Sequence, residues 1–175
     1  MIVKTKIRVP IFDADLPFTF FTEAESPAIT KNMQKNIAGL QVFSSTELEL
    51  IKGLLFEDCR SACELIDYGF NTIDGKTLQD SNLIGLGISD KDIAFEKSAV
   101  SQVVMDYEDE EFPNRYYAIE FSVPWEQEHG CSIIVKNDYP VAAYENSPYF
   151  GWYEKGGKYY KKIKDAEDAP RVKPT

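Results

Sequence analysis

Tyr117, Ile119, Phe121 and Val123 alternate with Ala118, Glu120 and Ser122, and a few residues later Cys131, Ile133 and Val135 alternate with Ser132 and Lys136. A period of two lets an extended chain bury one face only, so these runs predict two neighbouring half-buried strands. Pro124 lacks a backbone donor and should stop ladder pairing there. Gly130 suits a backbone angle that other residues resist. Residues 125–131 between the runs therefore read as a tight loop joining two antiparallel strands. Asn137-Asp138 can adopt left-handed turn geometry, which returns the chain as a third strand near residues 139–144.

Other segments add elements to this nucleus. Residues 2–10 place Val3, Thr5, Ile7 and Val9 on one face and Lys4, Lys6 and Arg8 on the other. They predict a first strand, hairpinned to a second at residues 18–22. Ser26-Pro27 reads as a helix start, Ile29, Met33, Ile37 and Leu40 share one helical face, and Gly39 is placed to end that helix. Ser44 and Glu47 have capping-box spacing, flanked by Phe43 and Leu48 at the staple positions. The stripe Leu48, Ile51, Leu55, Cys59, Ala62 and Ile66 then predicts a second helix from about Ser45 to Tyr68, stopped by Gly69. Asp74-Gly75 marks a turn. Residues 83–88 are apolar but broken by glycine, and read as a packed loop or a single helical turn. Residues 100–107 suggest another strand through Val103, Val104 and Met105. Tyr149, Phe150, Trp152, Tyr153, Tyr159 and Tyr160 flank Gly156-Gly157 and suggest a last hairpin, its rings packed on the domain and its interleaved lysines outside. The expected fold is α+β: a twisted antiparallel sheet, two N-terminal helices on one face, and a C-terminal aromatic hairpin. Residues 1–164 form one domain and residues 165–175 a loose tail.

Charge narrows the partners. Among 175 residues, 29 acids stand against 19 bases, for a net charge of −10. Such a surface repels phosphate backbones, so nucleic acid is excluded and a basic protein favoured. Asp106, Glu108, Asp109, Glu110 and Glu111 are candidate partner-binding residues on an acidic hairpin tip. The regular positions and central glycine of a calcium loop are missing there. The N-terminal residues lack the apolar core of a signal peptide, and no apolar run nears the roughly 20 residues that span a bilayer. Three cysteines, an odd number, fit reduced thiols in the cytoplasm, with no membrane association.

Residues 125–131 also hold the single histidine. His129 beside Glu128, with Cys131 two positions on, has the residue types of a nucleophile and its base. No third member is identifiable, so no catalytic set is assigned. The alternative makes Trp125, Glu126, Glu128, His129 and Gly130 a structural motif, with Trp125 plugging the sheet end. Cys59, Cys63, His129 and Cys131 are zinc-ligand types, but their spacing departs from zinc knuckles and the cysteines follow the apolar stripe. Neither a metal nor another cofactor is expected.

Trp125-x-x-Glu128-His129-Gly130, preceded by a helix pair and a strand and followed by a strand and a tight turn, resembles an uncharacterised bacterial domain family that carries this signature. The likeness spans roughly residues 18–145 by order of elements. It implies no enzyme activity, and, since similar small acidic domains occur near polymorphic toxins, it implies an immunity or partner-binding role. The family's usual glycine after the later strand is replaced by Ala142, Ala143 and Tyr144. The sequence therefore points to a non-catalytic protein that binds a basic partner such as a toxin, with a small hydrolase or ligand-binding enzyme centred on Glu128, His129 and Cys131 as the alternative. No feature sets an oligomeric state.

Overall fold

The structure, a computed structural model, describes residues 2–21, 29–106, 112–144 and 150. Those residues form an α+β fold of four α-helices and one six-stranded sheet. The strands are β1 (Ile2–Val9), β2 (Ala14–Phe21), β3 (Ala99–Asp106), β4 (Tyr116–Val123), β5 (Glu126–Lys136) and β6 (Tyr139–Tyr144). They lie in the sheet in chain order.

The sheet is mixed, which corrects the antiparallel expectation. β1 and β2 pair antiparallel from Ile2↔Phe21 to Val9↔Ala14, but β2 and β3 run parallel, with Phe18 opposite Val103 and Phe20 opposite Met105. A parallel neighbour demands a long return path. Here four helices supply it: α1 (Lys31–Gln41), α2 (Ser45–Leu65), α3 (Leu78–Leu86) and α4 (Lys91–Glu96). The remaining pairs are antiparallel.

The helices follow their caps. Thr30 caps α1, its Oγ1 accepting the Met33 N–H at 3.1 Å; the expected start at Ser26-Pro27 lies outside the described residues. Gly39 does not end α1, which runs on to Gln41. It serves a close approach instead, because a Cβ there would stand 2.0 Å from the Asp138 carboxylate. That carboxylate pairs with Arg115, which also donates to Asn36 of α1, and Asn36 in turn donates to the Tyr116 carbonyl. The Ser44–Glu47 capping box forms as its spacing predicts. α2 buries Ile51, Leu55, Cys59 and Cys63 and ends at Leu65, short of the expected Tyr68. Its last carbonyls explain why. The buried Asn82 amide donates to Cys63 O at 2.9 Å and Ile66 O at 2.8 Å, so another helix closes this one. The region read as loop or single turn is α3, with a Thr77–Asp80 capping box and left-handed Gly87 at its C-cap. α4 is capped by Asp90, which accepts from the Asp92 and Ile93 amides.

Alternation along the strands makes two cores. Phe18, Phe20, Val103, Tyr117, Ile119, Phe121, Cys131, Ile133 and Val135 share one buried cluster with Met33, Leu40, Ile51, Leu55, Cys59 and Cys63 of the helices. Val104, Tyr116, Ala118, Ile134, Val141 and Ala142 form a separate cluster on the other face, joined by Phe150. The acidic tip at 107–111, the aromatic hairpin beyond Phe150 and the tail 165–175 lie outside the described residues. Among the described residues no helix is long and apolar enough to cross a membrane.

Asn82 offers a direct check on how α2 ends. Asn82→Ala removes the donor of two carbonyls, one of them in a buried hydrogen bond, and should cost about 1–3 kcal/mol. Urea unfolding should show a lower midpoint at unchanged slope. An unshifted midpoint would mean that the amide contributes nothing there.

Candidate binding cleft at the sheet corner

The corner between β4 and β5 is built by a register change. The chain turns at Pro124 and Trp125, and β5 begins at Glu126, so residues 126–131 are strand where a loop was expected. Phe121 pairs with Cys131 and Val123 with Glu126. Residues 127–130 are thus fitted opposite Ser122 alone, and the chain must bulge outward. Gly130 permits the return to register. Its φ is +69°, and a Cβ there would lie 2.4 Å from the Phe121 carbonyl oxygen.

Glu126 organises the bulge. Its Oε1 accepts the Glu128 N–H at 3.2 Å and the His129 N–H at 3.3 Å, and lies 3.4 Å from His129 Nδ1. Glu128 is exposed, and the His129 side chain is half exposed. With Ser101, Glu120 and Ser122 from β3 and β4, these residues line an open cleft of about 300 Å³. Glu120 is positioned by Gln102, whose Nε2 donates to it at 2.6 Å, and by Ser101, which bonds its carbonyl. Three carboxylates and one imidazole therefore share the hollow.

Beneath the cleft the corner is fastened to α2. Trp125 is 1% exposed. Its Nε1 donates to Asp58 Oδ2 at 2.8 Å, and its carbonyl accepts from the Tyr68 hydroxyl at 2.7 Å. Cys131 joins this buried side, not the cleft; it is 1% exposed and belongs to the same core as Cys59 and Cys63. Burial, with the Asp58 carboxylate beside it, pushes the Cys131 thiol well above its usual range. Burial raises Cys59 and Cys63 likewise. All three are protonated at neutral pH, and a protonated buried thiol is a poor nucleophile.

The structure thus brings Glu126, Glu128 and His129 together and leaves Cys131 apart from them. No group of three or more His, Cys, Asp or Glu side chains among the described residues could hold a metal ion. Asp106 ends β3, and Glu108, Asp109, Glu110 and Glu111 lie outside the described residues. Sequence reasoning missed Glu120, Ser101 and Ser122, which reach the cleft only through strand pairing. It also missed Asp58 and Tyr68. Glu120 had a signal, since it alternates with Ile119 and Phe121 on the face turned from the helices.

An α+β domain with a mixed sheet and an acidic corner cleft is what these residues define. The chain belongs to the family described as Domain of unknown function (DUF6985), which matches residues 2–147. No curated protein and no solved structure matches it.

Proposed function

We propose that this is a non-catalytic binding protein whose corner cleft receives a basic side chain of a protein partner, as a toxin-immunity protein would in blocking a basic toxin surface. The observation that carries this reading is the convergence of Glu120, Glu126 and Glu128 on one open cleft whose neighbouring thiols are all buried. A carboxylate cluster of this kind accepts an ammonium or guanidinium group through charge-assisted bonds. The net charge of −10 speeds encounter with such a partner. Asp106, Glu108, Asp109, Glu110 and Glu111 would extend the acidic surface. Nucleic acid and membrane are not partners in this reading. Three free cysteines, all buried, suit the cytoplasm.

A pull-down against the product of the adjacent gene tests the proposal. Retention at micromolar concentration, with rescue of cells from that product, supports it. Absence of both counts against it.

A second reading is a small hydrolase, favoured by the 3.4 Å approach of His129 Nδ1 to Glu126 in a cleft open to solvent. An imidazole oriented by a carboxylate can serve as a general base. This enzyme would have to activate water, since Cys131 does not line the cleft. It requires turnover on an ester, amide or phosphoester substrate that His129→Ala removes without unfolding the chain.

A further inference from the structure

Six of the eight large apolar side chains that stand exposed among the described residues fall between positions 65 and 84. They are Leu65, Ile66, Phe70, Ile73, Leu78 and Ile84, at the end of α2, in the connection that follows it and on α3. Single exposed apolar residues are ordinary on a protein surface, but a gathered set marks a contact site. Their supports gather these. Asn82 of α3 donates to the Ile66 carbonyl, and Ser81 Oγ accepts the Ile73 N–H at 3.2 Å. The Phe70 ring lies against α3 itself, since a Cβ on Gly85 would stand 2.4 Å from it. Ile66, Phe70 and Ile73 are therefore held on the helix that carries Leu78 and Ile84, and Leu65, 82% exposed, extends them at the end of α2. The connection is also braced to the sheet corner. The Tyr68 ring meets Phe70 with centroids 6.4 Å apart, and its hydroxyl donates to the Trp125 carbonyl. A patch held in this way has little freedom left to lose on binding.

We propose that this patch is a docking surface for a basic amphipathic segment of a protein partner, its apolar residues on the patch and its lysines or arginines on the rim. Charge decides the occupant. Between positions 64 and 84, Glu64, Asp67, Asp74 and Asp80 stand exposed against a single base, Lys76. A second copy would set that acidic rim against itself, and like charges facing each other across an interface are penalised. An anionic lipid surface would be repelled in the same way. A segment whose apolar anchors are flanked by lysine or arginine satisfies both the patch and its rim. The corner cleft calls for the same partner charge, and Tyr68 links the patch to the residue before Glu126. The patch nevertheless uses no carboxylate of the cleft, so the two proposals can fail separately.

Titration of the full chain with a synthetic amphipathic helical peptide of leucine and lysine tests this, beside the same peptide with glutamate in place of lysine. The wild type should bind the lysine peptide at micromolar concentration and the glutamate peptide at least tenfold more weakly. Leu65→Ser/Ile84→Ser changes no charge and, at positions so exposed, should leave thermal unfolding nearly unchanged. It should weaken binding of the lysine peptide about tenfold or more. Glu64→Gln/Asp67→Asn should weaken that binding roughly threefold. Glu126→Gln/Glu128→Gln removes the same charge from the cleft and should weaken it less. Equal binding by the wild type and Leu65→Ser/Ile84→Ser, equal binding of the two peptides, a larger loss from the cleft pair than from the rim pair, or no binding of the lysine peptide would overturn the proposal. So would a wild-type dimer in sedimentation that Leu65→Ser/Ile84→Ser dissolves, or patch-dependent retention on phosphatidylglycerol vesicles, which would make a second copy or a lipid surface the occupant.

Discussion

Trp125→Ala is expected to lower the stability of the folded chain by about 3–5 kcal/mol, the range for deleting a large buried aromatic side chain. Domains of this kind are stable by about 5–15 kcal/mol in total, so one substitution removes about a fifth or more of the margin. The indole is 1% exposed and is the largest fully buried side chain among the described residues. Its removal leaves a cavity between the sheet corner and α2. It also strips Asp58 of an N–H donor held at 2.8 Å, and a part-buried carboxylate that loses a partner costs more than a neutral group would. The melting temperature should fall by roughly 6–20 °C for a chain of this length. Trp125→Phe separates the two contributions. It keeps much of the ring volume and forfeits only the N–H, so it should cost about 1.5–3 kcal/mol. If both variants melt like the wild type, the corner is not fastened through Trp125.

Gly130→Ala should be nearly as damaging, for a different reason. A residue with a Cβ at φ +69° costs about 1–2 kcal/mol in backbone strain alone. The new methyl would also stand 2.4 Å from the Phe121 carbonyl oxygen, a backbone atom that a rotamer change cannot move. Relief requires prising β4 from β5 where Phe121 pairs with Cys131, and forced overpacking typically adds about 1–3 kcal/mol. A combined loss of about 3 kcal/mol would lower the melting temperature by roughly 6–12 °C. Gly75 is the internal control. Its φ is +77°, but a Cβ there would meet nothing within 4 Å, so Gly75→Ala should show only the strain of about 1–2 kcal/mol. Equal losses at the two glycines would refute the claim that close approach shapes the bulge.

What could be read from the chain beforehand follows from how local each signal is. The helix-facing side of β4 and β5 was legible, because alternation is written in adjacent residues, but the expectation of half-buried strands was not met: Tyr116, Ala118, Ser132, Ile134 and Lys136 on the opposite face are buried as well. The start of α2 was legible in Ser44 and Glu47, three positions apart. The demand for a glycine at position 130 was legible too, though its carbonyl neighbour was not. The parallel pairing of β2 with β3 left no local trace, since it depends on where four helices deliver the chain. Gly39 misled for a similar reason. Its lack of a side chain answers to Asp138, far along the chain, and a helix-ending glycine looks the same in one dimension. α3 was underread although Thr77 and Asp80 carried capping-box spacing, because glycine breaks its apolar end and two of its buried positions, Ser81 and Asn82, are polar.

The corner motif divided in the same way. Glu126, Glu128 and His129 were recognisable as a group by their closeness in sequence, and Glu126 binds its own bulge within three residues. Cys131 lies equally close in sequence but joins the core of Cys59 and Cys63, because the bulge and left-handed Gly130 break the alternation that would otherwise set it beside His129. Glu120, the third carboxylate of the cleft, comes from the paired strand.

Calorimetric titration of the full chain with the adjacent gene's product, set beside the same titration of a Glu126→Gln/Glu128→Gln variant, tests the central claim most directly. The wild type should bind tightly and in a salt-sensitive way, and the variant at least tenfold more weakly at an unchanged fold. Equal affinity for the two proteins, or no heat of binding from either, would contradict it.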